Sequence, residues 1–245
     1  MADHEPSNGY QRLITFSDAV FAIAATLLVI DLRPPAVPSD VYESALQAYL
    51  RDPAPFIATT IGFIVVGSYW SSHRRIFGLI GDTNGGVVWA NLLFLFFVAI
   101  QPFLTAALAE HDPNRTSVLL YTIGQIAAGA GQVLIWVVAL RHRELLTDRA
   151  TPRRILYVDA QVLRAPVTFA VSIPITIGAG PTAGMASWGL LVLTAALIGT
   201  AFHDLEHPRR APGRLWRALE RRHHRPDHAV GPEAEAGGAA EARPG

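Results

Sequence analysis

Apolar residues run along this chain in six long stretches separated by shorter polar segments. The stretches are approximately Leu13–Leu32, Phe56–Phe77, Val87–Ala109, Ser117–Leu140, Leu163–Gly180 and Gly184–His203. An α-helix rises ~1.5 Å per residue, so about 20 residues cross a hydrocarbon layer ~30 Å thick. The pattern predicts an all-α membrane protein with six transmembrane helices. The fifth stretch is short and holds Pro166 and Pro174, which predicts a kinked or tilted span. Between the first two spans, Ser39–Leu50 reads as a short amphipathic surface helix. Ser39 is its expected cap, Asp40 and Glu43 suit its first turn, and Leu46, Tyr49 and Leu50 form its apolar edge.

Composition supports this reading. Of the 245 residues, 51% are hydrophobic and 16% are charged, against roughly 25% charged in soluble domains. The formal net charge is zero, which gives no reason to expect nucleic acid as a partner. Cysteine is absent, so disulfides, thiolate nucleophiles and Cys-based zinc sites are excluded. The start, with Asp3, Glu5 and a single Arg before the first apolar stretch, lacks the basic n-region of a cleaved signal and is expected to be retained.

All 20 basic residues are Arg, and they alternate between connections. Arg74 and Arg75 follow span two. Arg141, Arg143, Arg149, Arg153, Arg154 and Arg164 follow span four, and seven more lie between Arg209 and Arg225. The other connections hold only Arg33, Arg51 and Arg115. This bias predicts cytoplasmic N- and C-termini. The expected organisation is a transmembrane domain over 1–203 and a disordered tail over 204–245, basic and then low in complexity. The tail's arginines suit anionic lipid headgroups, and its histidines are read as solvated rather than metal-binding.

The first span is divided by face. With about 100° between successive residues, Phe16, Val20, Ile23, Leu27 and Ile30 share one stripe, and Asp18, Ala22, Ala25 and Val29 share the opposite side. A carboxylate within a span costs about 2.5–3.5 kcal/mol at the bilayer centre, so Asp18 should find a protein partner. His73, Arg74, Asn91 and Arg12 are candidates. The Asp18 face, lined by small residues, is expected to pack inward, leaving the stripe for lipid or a subunit interface. In span four, Gly124, Gly129 and Gly131 read as close helix contacts, and Gln125 and Gln132 as interhelical hydrogen-bonding groups.

Arg12, Phe16, Ser17 and Asp18, followed by a small residue and a hydrophobic run, closely resemble the R-x-x-x-F-S-D signature of the transmembrane protein 175 family of potassium channels. Trp89 and Asn91 in span three, with Pro102 and Phe103 near its end, add to the resemblance, which covers spans one to three. It implies a homotetrameric, potassium-selective cation channel of the cell membrane, with potassium as the permeant ion and no cofactor. The first helices would line a central pore, narrowest at Ile23, with further rings at Leu27 and Ile30 and Thr26 beside them. Arg12, Phe16, Ser17 and Asp18 would brace that helix. The sequence has no TVGYG-type filter loop. A proton-coupled or other secondary transporter is the alternative, and it would want broken helices and ionisable groups near the midplane. An intramembrane enzyme is disfavoured, because no nucleophile–base pair or H-E-x-x-H cluster is present.

Overall fold

The structure, a computed structural model, describes residues 8–30, 32, 37–52, 54–109 and 114–202. Its helices are α1 (Asn8–Ile30), α2 (Tyr42–Arg51), α3 (Ala54–Phe77), α4 (Gly85–Ala99), α5 (Gln101–Ala109), α6 (Arg115–Arg141), α7 (Pro152–Ala179), α8 (Pro181–Ser187) and α9 (Leu190–Ala201). Among the described residues, six segments are long and apolar enough to cross a membrane: α1, α3, α4 with α5, α6, α7, and α8 with α9.

Helix starts follow from side chains that satisfy the first free N–H groups. Asn84 Oδ1 accepts from the Val87 N–H at 2.9 Å ahead of α4, and Asn114 Oδ1 from the Ser117 N–H at 2.9 Å ahead of α6. Thr151 caps α7, and Pro152 takes its first helical position, where no N–H is needed. For α2 the expected cap is corrected. The helix begins at Tyr42 after Val41, whose side chain makes no capping bond, and none of its residues is buried.

The fifth span is also corrected. It is not a short helix starting near Leu163 but a 28-residue helix from Pro152, with Pro166 and Pro174 inside it. Its first turns are Arg-rich and fall below the hydropathy that marks a span, so apolar runs alone hide them. Pro166 packs on Gly129 of α6, where a Cβ would lie 2.7 Å from the proline Cδ. The third span breaks at Ile100, just before Pro102. Proline has no N–H to donate to the preceding turn, which accounts for the break. The sixth span breaks at Trp188 and Gly189. There the buried Trp188 donates Nε1–H to Ser172 Oγ at 3.2 Å and lies against Tyr121 and Phe169.

Helix α6 is the hub, packed between α4 and α7. Its glycines make this possible. At Gly131 a Cβ would sit 2.9 Å from the Phe94 Cα of α4, and at Gly124 it would overlap Leu104 of α5. Its glutamines tie neighbours together. Gln125 and Gln101 exchange side-chain hydrogen bonds of 2.6 and 3.3 Å, and Gln132 Nε2 donates to the Tyr69 carbonyl at 3.0 Å. Paired amides satisfy each other where water is absent.

The α3–α4 and α6–α7 connections meet at one end of the bundle. The Gly81 N–H donates to the Leu145 carbonyl at 2.8 Å, and the Thr147 N–H to the Leu79 carbonyl at 2.9 Å. Helix α1 lies against α3, α4 and α5. The expected tail, 204–245, lies outside the described residues.

Candidate functional site

Helix α1 has three faces, not two. Its buried residues are Leu13, Ser17, Phe21, Ala24 and Leu28. This row lies about a quarter turn from both the Ile/Leu stripe and the Asp18 side. The stripe is exposed, with Phe16 at 51%, Ile23 at 59%, Leu27 at 41% and Ile30 at 54%. Thr26 is exposed as well, and its hydroxyl donates to the Ile23 carbonyl at 2.9 Å. The expectation that the Asp18 face packs inward is corrected, because Asp18, Ala22 and Val29 are exposed. The wheel separated bulky from small residues, but what contacts the bundle is the row holding Phe21 and Leu28, which fill space against α3, α4 and α5.

The packed row carries a buried polar chain. The Ser17 hydroxyl donates to the Leu13 carbonyl at 2.8 Å and accepts from Asn91 Nδ2 at 2.9 Å. Asn91 Oδ1 lies 2.9 Å from His73 Nε2. With the amide oxygen as acceptor, Nε2 carries the proton. Ser17, Asn91 and His73 are each at most 1% exposed, so α1, α4 and α3 are bonded through one dry network. Phe77, Phe21 and Phe94 surround the imidazole, with centroids 4.4, 5.6 and 5.8 Å away.

Asp18 takes a different partner from those expected. Its Oδ1 accepts from the Trp70 indole N–H at 2.9 Å, and the Arg74 guanidinium lies 4.8 Å above the Trp70 ring. Asp18 is one residue beyond Ser17, so its side chain points about 100° further round the helix. It therefore passes His73 and Asn91 and meets the outer side of α3. His73 and Asn91 belong to Ser17, and Arg74 reaches the Asp18 cluster through the Trp70 ring. Arg12 is exposed near the start of α1.

Trp70 is the residue that sequence reasoning missed. A signal was available, because an indole N–H within a span needs an acceptor. Trp70 also precedes Arg74 by four residues, placing the two on one face of α3. Near the start of α1, Tyr10 Oη donates to the Phe77 carbonyl at 2.6 Å, a second tie between α1 and the end of α3.

The chain is similar to proteins of one family. The family model described as the endosomal/lysosomal potassium channel TMEM175 matches residues 12–102. A protein of Streptomyces collinus named as a potassium channel is 30% identical over 195 residues, covering 74% of this chain and 89% of that protein. A potassium channel of Chryseobacterium sp. is 33% identical over 131 residues, covering 53% of this chain and 65% of its own length. Human TMEM175, named as an endosomal/lysosomal proton channel, is 26% identical over 170 aligned residues, a match that covers 66% of this chain and 33% of the human protein. Among solved structures, a lysosomal potassium-selective channel TMEM175 homolog from Chamaesiphon minutus matches with a TM-score of 0.64 at 25% identity. That match covers 78% of this chain and 99% of the other. The chain belongs to the TMEM175 family, a family of membrane ion channels and not of enzymes.

Proposed function

We propose that this chain forms a potassium-selective cation channel of the cell membrane, a homotetramer whose α1 helices surround a central pore. Residues 1–203 are the channel-forming unit, with both termini in the cytoplasm. The observation that carries the reading is the exposed stripe of α1. Ile23, Leu27 and Ile30 are each more than two-fifths exposed, while the adjoining row is buried against three other helices. A face left open beside a rigidly held one can meet its symmetry copies. One such helix per chain cannot enclose a path, so the pore needs several subunits. The names of the bacterial relatives support potassium as the ion.

The mechanism follows from the side chains. A ring of Ile23 side chains excludes water, and ions do not pass because nothing replaces their hydration shell. Leu27 and Ile30 extend the dry section, and Thr26 stands beside it. Opening moves the helices outward until a partly hydrated ion fits. Potassium sheds water more readily than sodium, so the constriction favours potassium, modestly, without carbonyl ligands. Ser17, Asn91, His73, Asp18 and Trp70 hold α1 at a set depth and rotation, with Arg12 and Phe16 completing the motif, and do not touch the ion.

Reconstitution in liposomes under a potassium gradient tests this. Wild-type potassium flux should exceed sodium flux, and Ile23→Asn should raise flux and weaken the preference. Silence of both proteins, each folded, would refute the channel. Proton flux is followed in the same vesicles, since vertebrate relatives carry that name. Saturable flux that Ile23→Asn leaves unchanged would instead favour a carrier.

A further inference from the structure

Away from α1, a small cavity lies where α3, α6 and α7 meet the start of α9. It holds about 20 Å³, enough for one water or one monatomic ion. Its walls are largely apolar, with Val65, Ala165 and Phe169 among them, and Ser68, Ser72, Gln132, Gln161 and Arg164 supply the polar part. Arg164 stands twelve residues after Pro152, about 18 Å along α7. Its Nη1 donates to the Leu191 carbonyl at 2.6 Å, midway along the sixth span, and its Nη2 lies 3.4 Å from Ser68 Oγ.

Among the described residues, the guanidinium's hydrogen bonds go to a carbonyl and a hydroxyl and not to a carboxylate. The charged and titratable groups that act on it are Arg75, Tyr69 and Tyr157, and no carboxylate is among them. Asp159 of the same helix is taken by Trp136, whose Nε1 donates to it at 2.6 Å. Two buried polar atoms at the cavity, Arg164 Nε and Ser72 Oγ, make no hydrogen bond among the described residues. Ser72 is 3% exposed. A half-buried cation that keeps one N–H open beside a buried hydroxyl is costly, and charged groups within spans mark sites of function.

We infer that the cavity binds a single halide ion, chloride under ordinary conditions, held by Arg164 Nε–H and the Ser72 hydroxyl. The lining offers N–H and O–H donors and a positive charge, which suit an anion and repel a metal cation. The space is too small for a phosphate group. A water would bond the two open atoms but leave the charge uncompensated. The inference is independent of the pore and of the ion that crosses it.

The full-length protein is purified in sodium gluconate, and its thermal midpoint is titrated with sodium bromide at constant ionic strength. The expected result is a saturable rise of about 4 °C once bromide is about tenfold above its dissociation constant. Arg164→Gln should abolish the rise. Should that variant fail to fold, Ser72→Ala should move the titration to about tenfold higher bromide, the loss of one hydrogen bond to a charged group. Bromide-soaked crystals should give an anomalous peak beside Arg164 Nε. An unchanged midpoint in bromide, a rise that survives Arg164→Gln, or a cavity holding only water would each overturn the site. So would a stability that follows anionic lipid content and ignores halide.

Discussion

Asn91→Leu removes the middle of the buried chain between α1 and α3 while keeping the side-chain volume close. Two hydrogen bonds of 2.9 Å are lost. The Ser17 hydroxyl keeps its bond to the Leu13 carbonyl, so it loses an incoming donor but is not orphaned. His73 is worse off, because its Nε2–H is left in a pocket walled by three phenylalanine rings. Interhelical hydrogen bonds within membranes average about 0.6 kcal/mol, and an orphaned buried donor costs about 1–3 kcal/mol. The expected loss is about 2–3 kcal/mol, or a thermal midpoint lowered by roughly 6 °C in a fixed detergent. His73→Phe alone should cost a similar amount, since it strands the Asn91 carbonyl. The two together should cost less than either, because the orphan disappears and a fourth aromatic ring joins Phe21, Phe77 and Phe94. Midpoints of the four proteins give the coupling. A double variant as unstable as the sum of the singles would refute the reasoning, since the network would then be independent contacts.

Substitutions at four further positions probe other parts of the frame. Gly131→Ala places a methyl group 2.9 Å from the Phe94 backbone of α4, and is expected to destabilise by about 1–3 kcal/mol, read as a lowered midpoint. Gly67→Ala meets nothing within 4 Å and should leave the midpoint level or raise it, since alanine favours helix by up to about 1 kcal/mol. Trp70→Phe keeps a ring for Arg74 but removes the bond to Asp18. It should lower the midpoint by a few degrees, about 1 kcal/mol for an exposed bond, and Asp18→Asn, which keeps an acceptor oxygen, should be milder. Equal effects from Asp18→Asn and Asp18→Leu would show that the indole bond contributes nothing.

The spans were legible in the sequence because the bilayer imposes a length and a polarity on any helix that crosses it. Six apolar runs became six spans, and the motif around Ser17 and Asp18 marked α1 before any coordinate. The glycines and glutamines of α6 were readable for the same reason, since small or amide-bearing residues inside a span have few uses besides close packing and hydrogen bonding.

Hydropathy could not show that α7 starts at Pro152, because arginines mask the helix that carries them. Nor could one helix wheel decide which side of α1 is packed. Periodicity says which residues share a face, but the face that is buried depends on where the neighbouring helices stand. The Ser17 row is buried because α3, α4 and α5 close on it, and Asp18 meets Trp70 because one residue turns the chain by about 100°. Arg164 belonged by sequence to a basic connection. Only the packing of α7 against α3 and α9 brings its charge into the bundle, opposite a serine from a helix almost a hundred residues away.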